Sequence, residues 1–148
     1  MPEHWSRTIV DAMSRGMDVA SGLHVRLEEF PDIRAAAEEY GRKLHNVRHS
    51  TPKFGTGKGL KRTGKRLLTV GTDCSVGKKY TALAIEREML KRGMKADFRA
   101  TGQTGVLIAE RGIAIDAVIA DFISGAAEWL SPDNEPDHWD IIEGQGSL

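Results

Sequence analysis

The sequence predicts an α/β fold in which a parallel sheet is flanked by helices. After residue 66, short apolar runs alternate with segments of helical periodicity, the order that parallel strands joined by helices require. Between the first of these strands and its helix lies GTDCSVGK, residues 71–78, with the G-x-x-x-x-G-K spacing of a phosphate-binding loop. A strand, this loop and a helix in that order predict a P-loop NTPase-like sheet.

Residues 1–47 are predicted to be the C-terminal remnant of a domain that begins upstream. Residues 4–16 carry apolar side chains at helical spacing and end in a glycine, which stops helices. A second helix is predicted to begin at Pro31, with three alanines inside it. Residues 17–25 and 43–48 are short segments and are predicted to be extended or to turn.

Residues 48–66 are predicted to form a basic linker, because they are rich in Gly, Thr and Lys and lack apolar periodicity. The stretch carries lysines and arginines but no acid. Single-stranded nucleic-acid sites combine such charge with several aromatic rings, and Phe54 stands here without others, so a solvated linker is the interpretation. The segment GTGKG (Gly55–Gly59) lacks a flanking strand and helix, and we assign it to the linker.

Residues 67–148 are predicted to be the first part of a P-loop domain. The predicted strands are 67–70, 95–101 and 140–142, the predicted helices are 77–93 and 115–130, and 102–112 is a predicted loop. One side of the first helix is predicted to carry Tyr80, Leu83 and Leu90, and one side of the second Val118, Phe122 and Ala126. A parallel sheet needs cover on both faces, which so few strands and helices do not supply. The chain is therefore predicted to be an internal fragment, truncated at both ends.

The composition indicates a soluble cytoplasmic protein. Lys plus Arg and Asp plus Glu both number 21, so net charge gives no reason to expect a nucleic-acid or membrane partner. A single cysteine fits a reducing compartment, and the N-terminus lacks the features of a signal peptide. No apolar run approaches the ~18 residues of a membrane span. The expected partner is a small molecule, and a homo-oligomer is left open.

The phosphate loop departs from the usual motif in one position. Loop N–H groups, the N-terminus of the next helix and Lys78 attract phosphate. Lys79 stands where a Ser or Thr hydroxyl normally holds Mg²⁺, and Thr81 cannot replace it because two helical residues rotate by about 200°. Lys79 is predicted to offset the charge of Asp73 or to reach a further phosphate, unless it is a solvated lysine. The predicted cofactor contacts are Gly71, Thr72, Asp73, Cys74, Ser75, Val76, Gly77, Lys78, Lys79 and Tyr80.

Two further loops follow predicted strands and should open at the same edge of the sheet. Glu143 ends the last strand, where an acid can bind a metal or accept a proton. Asp116 and Asp121 are predicted to lie about 140° apart on one helix, as surface or capping residues. The predicted substrate contacts are Thr101, Gly102, Gln103 and Thr104 in one loop and Gly144, Gln145 and Gly146 in the other.

These segments resemble a known family. VGTDCSVGKKYTALAIEREMLKRG, FRATGQTGVLIAERGIAIDAVIADFISGAAEWL and IIEGQGSL resemble the P-loop domain of a bacterial and archaeal family long described as a domain of unknown function. Residues 21–48 resemble the close of that family's Rossmann-like N-terminal domain. The loop and the acidic strand are also distantly similar to dethiobiotin synthetase and related ATP-dependent ligases, which have Thr at the position of Lys79.

The resemblance implies an activity, because members of the family are D-glutamate N-acetyltransferases. On that basis the loop is expected to hold acetyl-CoA without a metal, and Glu143 or Asp73 is expected to be the catalytic base. One alternative is an ATP-dependent ligase or kinase-like enzyme, in which magnesium would be held by Glu143 and Asp73. The other is a non-catalytic nucleotide-binding domain. The fragment alone is expected to be inactive.

Overall fold

The computed structural model describes residues 1–49 and 52–146. Four residues lie outside this description: Ser50 and Thr51 of the predicted linker, and Ser147 and Leu148 of the last predicted loop. The chain forms two compact units, Met1–His49 and Ser50–Leu148. Within the described ranges, none of the helices has the length and apolar character needed to cross a bilayer.

The first unit contains two helices and a two-stranded parallel sheet. Both predicted helices are confirmed, and the strands pair with Val19 opposite Leu44. Met13, Leu27 and Ile33 are fully buried in a small core between these elements. The elements are α1 (Glu3–Ser14), β1 (Val19–Ser21), a 3₁₀ turn (Leu27–Glu29), α2 (Pro31–Tyr40) and β2 (Leu44–Asn46).

The second unit is built on a three-stranded parallel sheet, which confirms the predicted fold class. The strand order is β3-β5-β4, so the last strand in sequence lies in the middle. Because all three strands are parallel, the loops that follow them open at one edge. The elements are β3 (Lys65–Leu68), α3 (Lys78–Lys91), β4 (Ala96–Arg99), α4 (Gln103–Ala109), α5 (Ile123–Leu130) and β5 (Trp139–Ile142).

Apolar side chains cover both faces of this sheet. Ile141 of β5 is fully buried in one cluster with Ala82 and Phe98, and the neighbouring Ile142 packs against another around Ala126 and Ile113. Successive residues of a strand point to opposite faces, so β5 contributes to both clusters. This burial fixes the register of the central strand.

Two predicted elements differ from the structure. Residues 102–112, expected to be a loop, contain the helix α4, whose residues Val106 and Ala109 pack on the core. The helix expected over 115–130 is instead two 3₁₀ turns (Ile115–Ala117 and Ala120–Phe122) followed by α5. Ile115 at the start of this stretch and Ile113 just before it donate backbone hydrogen bonds to Thr101 and Ala100, the residues that follow β4. Periodicity alone does not reveal these contacts.

The side of α3 predicted to carry Tyr80, Leu83 and Leu90 is confirmed only in part, because Leu83 packs against the core and the other two do not. Tyr80 and Leu90 are mostly exposed, whereas Ala82 is fully buried. Ile85 and Met89 pack with Ala82 against the sheet. The fully buried residue of this helix is thus the small Ala82, with larger apolar side chains packed around it.

The segment 52–64 has no helix or strand, but it lies against α5 and is not a freely solvated linker. The N–H groups of Lys58 and Gly59 donate to the Glu128 carboxylate at 2.9 and 2.7 Å, and Gly57 N–H donates to Ser124 Oγ at 2.9 Å. The two N–H groups hold the pKa of Glu128 below its usual range. A Cβ on Gly125 would lie 2.0 Å from the carbonyl oxygen of Gly55, so only glycine permits this contact.

Candidate functional site

The phosphate loop connects β3 to α3 and depends on glycine at both ends. A Cβ on Gly71 would lie 2.5 Å from Cγ2 of Val76. Gly77 has φ +96°, a left-handed conformation that directs the chain into α3. The residues between Gly71 and Gly77 are exposed. The loop therefore presents its backbone at the N-terminus of a 14-residue helix, where anions are stabilised.

Lys78 lies across the inside of this loop. Its side chain is buried, with 7 % of the residue exposed. The ammonium donates to the carbonyl oxygen of Asp73 at 2.6 Å and to the carbonyl oxygen of Gly146. Two neutral carbonyls satisfy the ammonium without neutralising its charge, so an anion in the loop would gain a charged partner.

Asp73 and Cys74 remain at the exposed surface of the loop. The Cys74 N–H donates to Oδ1 of Asp73 at 2.6 Å, so this carboxylate occupies one of the donors of the loop itself. Asp73 and Glu143, the two predicted base candidates, are thus in different surroundings.

Glu143 is buried at the end of β5 and joins the two other predicted loops. Only 5 % of the residue is exposed, and its Oε2 accepts the N–H groups of Thr101 and Gly102 at 3.0 and 3.1 Å. In return, Thr101 Oγ1 donates to the Glu143 carbonyl at 2.6 Å. Gln145 Nε2 donates to the same hydroxyl at 3.1 Å. The structure thereby brings together the predicted substrate loops.

Three glycines make room for these contacts. A Cβ on Gly105 would lie 2.3 Å from Glu143 Oε2, and one on Gly102 would lie 2.7 Å from Gln145 Nε2. A Cβ on Gly144 would lie 1.8 Å from the carbonyl oxygen of Thr69. Gly105 was not among the predicted site residues, although the G-x-x-G spacing that it forms with Gly102 could have indicated it.

A mostly polar cavity of about 350 Å³ opens beside Glu143. Among the described residues that line it, Lys79 is the one cation and the one contribution from the predicted phosphate-loop set. Asp116, expected to be a surface or capping residue, also lines this cavity, whereas Asp121 and Asp73 do not. The lining residues are Lys79, Gly102, Gln103, Thr104, Asp116, Glu143 and Gln145.

The position of Asp116 follows from backbone pairing beyond β4. The N–H of Ile113 donates to the carbonyl oxygen of Ala100 at 3.0 Å, and the N–H of Ile115 donates to that of Thr101 at 2.9 Å. Asp116 comes next in the chain, so these two bonds hold it beside the Thr101 loop. The cavity thus contains one cationic and two acidic side chains.

The three-stranded parallel sheet and the glycine loop before α3 define the chain as a P-loop protein. Residues 53–148 match the P-loop domain of DUF1611, a domain of unknown function, and residues 1–50 match its Rossmann-like N-terminal domain. The chain belongs to the DUF1611 family, which confirms the resemblance noted in the sequence.

Named relatives and a solved structure are also similar to the chain. It is 57 % identical over 146 residues to a D-glutamate N-acetyltransferase of Tritonibacter scottomollicae, covering 99 % of this chain and 44 % of that protein. It is 55 % identical over 148 residues to a D-glutamate N-acetyltransferase of a Pseudoalteromonas species, covering 100 % of this chain and 45 % of that protein. The crystal structure of a DUF1611 family protein from Anabaena variabilis matches with a TM-score of 0.89 and 35 % identity, covering 100 % of this chain and 44 % of that one. The chain thus spans less than half the length of these proteins.

Proposed function

We propose that this chain supplies the phosphate-binding loop and part of the acceptor cavity of an amino-acid N-acetyltransferase. Acetyl-CoA is the proposed donor, and a D-glutamate-like amino acid is the proposed acceptor. The observation that carries the proposal is the loop around Lys78 next to a polar cavity that contains Lys79 and Glu143. The names of the two relatives support the reaction class.

The residues of the loop fit a phosphate ligand that carries no metal. Coenzyme A has a pyrophosphate and a ribose phosphate, which need N–H donors and cations. Lys78 and the N-terminus of α3 provide both. Lys79 stands in the sequence where the metal-binding hydroxyl usually stands, so this ligand for Mg²⁺ is replaced by a cationic residue. In addition, Oε2 of Glu143 is already engaged by two N–H groups.

Acetyl-CoA, when bound, supplies a thioester whose carbonyl carbon an amine can attack, with a C–N bond forming, the C–S bond breaking and the thiol leaving with a proton. The acceptor ammonium must first lose a proton, since only the neutral amine is a nucleophile. Glu143 is the base we favour, because it lines the cavity and its Oε1 lies toward Gly102 on the cavity wall. Asp73 is outside that lining and receives the Cys74 N–H.

The test is an acetyl-transfer assay on the full-length protein. Thiol release from acetyl-CoA and the mass of the product are measured with D- and L-glutamate, in EDTA and in Mg²⁺. We expect release that depends on the amine and proceeds in EDTA. No transfer to any amine, together with hydrolysis of ATP only in Mg²⁺, would instead support the ATP-dependent ligase alternative.

A matched pair of variants tests the assignment of the base. Glu143→Gln keeps the shape of the side chain but removes its basicity, and we expect kcat to fall by about 10²–10⁴-fold. Acetyl-CoA affinity should be little changed. Asp73→Asn should have the smaller effect on kcat. The reverse order of the two variants would transfer the role to Asp73.

A further inference from the structure

We propose that Lys79 and Asp116 form two opposite charged contacts that hold the acceptor as a zwitterionic α-amino acid. In this assignment Lys79 binds the α-carboxylate and Asp116 binds the ammonium group. The inference rests on the proposed function and goes beyond it, because it names the acceptor contacts. It also gives a binding role to Asp116, which the sequence indicated only as a surface or capping residue.

Lys79 is separated from the phosphate contacts by its place on α3. One helical residue rotates the side chain by about 100° relative to Lys78. Lys78 turns into the loop and reaches the carbonyls of Asp73 and Gly146, whereas Lys79 lines the polar cavity. Its ammonium lies 5.2 Å from the centroid of the Tyr80 ring. A carboxylate in the cavity would therefore find its cationic partner in Lys79.

Asp116 and Glu143 provide the complementary negative charge. An ammonium group has three donors and no acceptor, so it is best held by carboxylates and neutral oxygens. Asp116 is fixed beside the Thr101 loop by the backbone bonds of Ile113 and Ile115. An ammonium bound there lies in the same cavity as Glu143, the proposed base.

The rest of the lining is neutral and polar. Gln103, Thr104 and Gln145 offer amide and hydroxyl groups that can both donate and accept hydrogen bonds. Such groups suit the polar side chain of an acceptor such as glutamate. An α-amino acid brings a carboxylate for Lys79 as well as an ammonium group, whereas a simple aliphatic amine lacks the carboxylate, so the cavity favours amino acids over simple amines.

The test is a calorimetric titration of the full-length protein, with coenzyme A present so that no acetyl group is transferred. Three probes separate the contacts: D-glutamate, glutarate, which lacks the amine, and 4-aminobutyrate, which lacks the α-carboxylate. For Asp116→Asn we expect D-glutamate to bind about tenfold more weakly and glutarate to bind as in the parent. For Lys79→Gln we expect weaker binding of D-glutamate but not of 4-aminobutyrate.

Asp121→Asn is the matched control, because Asp121 is an exposed acid nearby that does not line the cavity. It should bind all three probes as the parent does. Unchanged D-glutamate binding by Asp116→Asn would overturn the inference, and so would equal losses for D-glutamate and glutarate. Lys79→Gln that weakens coenzyme A but not D-glutamate would return Lys79 to the phosphate site. A parent that binds no coenzyme A would contradict the proposed function itself.

Discussion

Two glycine-rich segments of the second unit offer backbone N–H groups, and they differ in what those groups contact. In Gly55–Gly59, the N–H groups of Lys58 and Gly59 are paired with the carboxylate of Glu128. In Gly71–Gly77, no side chain from elsewhere in residues 52–146 accepts from the loop, and the Cys74 N–H is paired with neighbouring Asp73. The carboxylate at the first segment comes from α5 and accepts two of its N–H groups, whereas the carboxylate at the second comes from within the loop and accepts one.

The difference shows that glycine content alone does not make a ligand site. Within the described residues, Gly55–Gly59 has no strand directly before it and no helix directly after it, so it lies at no helix N-terminus, and its Lys58 is exposed. Gly71–Gly77 has both, and Lys78 is held inside it. The carboxylate of Glu128 accepts hydrogen bonds from the first segment and attaches it to α5. In the second segment, the ammonium of Lys78 contacts two neutral carbonyl groups and keeps its charge for a ligand.

The largest expected effect is that of a substitution at Gly144, which lies beside Lys78 of the phosphate loop. In Gly144→Ala the new Cβ would lie 1.8 Å from the carbonyl oxygen of Thr69, between adjacent strand ends of the sheet. Neither backbone can move without losing sheet pairing, so we expect destabilisation by about 3 kcal/mol or more. Urea unfolding of the full-length protein measures it. A variant as stable as the parent would show that this contact is not rigid.

Lys78→Met tests the charge of the phosphate loop. The variant keeps the length of the side chain but removes the ammonium, so acetyl-CoA should lose about 1.5–3 kcal/mol of binding free energy, roughly 10- to 150-fold in Kd. Titration calorimetry gives the dissociation constant, and the thermal midpoint checks that the variant is folded. If the Kd is unchanged in a folded variant, the loop is not the phosphate site.

Gly125→Ala, in α5, is the counterpart at the contact with segment 52–64. The Cβ would lie 2.0 Å from the carbonyl oxygen of Gly55, a clash nearly as close as that at Gly144. Segment 52–64 has no strand or helix and can move away from α5, so we expect a smaller loss of about 1–2 kcal/mol. Acetyl-CoA affinity should be unaffected. A loss as large as that of Gly144→Ala would make the segment part of the core.

The smallest expected effect is the pH response of the contact between segment Gly55–Gly59 and Glu128. Because the folded-state pKa of Glu128 lies below its ordinary value of 4.5, its contribution to stability is present above that value. It is lost as pH falls through the folded-state pKa. Amide exchange of Lys58 and Gly59, corrected for intrinsic rates, should show less protection in acid. Glu128→Gln should lack this dependence; an equal dependence in that variant would assign it to another acid, such as Asp133.

Features that depend on residues close together in the chain could be predicted from the sequence. The G-x-x-x-x-G-K spacing between an apolar run and helical periodicity located the loop, and the alternation of elements predicted the parallel sheet. Contacts between distant residues could not be predicted. Glu128 accepts a hydrogen bond from Gly59, 69 positions away, and the segment before Asp116 pairs with the two residues that follow β4. For α4, glycines at 102 and 105 favoured a loop, but packing of its apolar side chains overrides that preference.

The central claim is that the phosphate loop binds a phosphate ligand without a metal, and titration of the full-length protein with acetyl-CoA in EDTA and in Mg²⁺ tests it most directly. We predict binding in EDTA with the same dissociation constant as in Mg²⁺, because Lys78 and the loop N–H groups provide the contacts and Lys79 replaces the hydroxyl residue that usually binds the metal. Failure of acetyl-CoA to bind, together with ATP binding that requires Mg²⁺, would contradict this account.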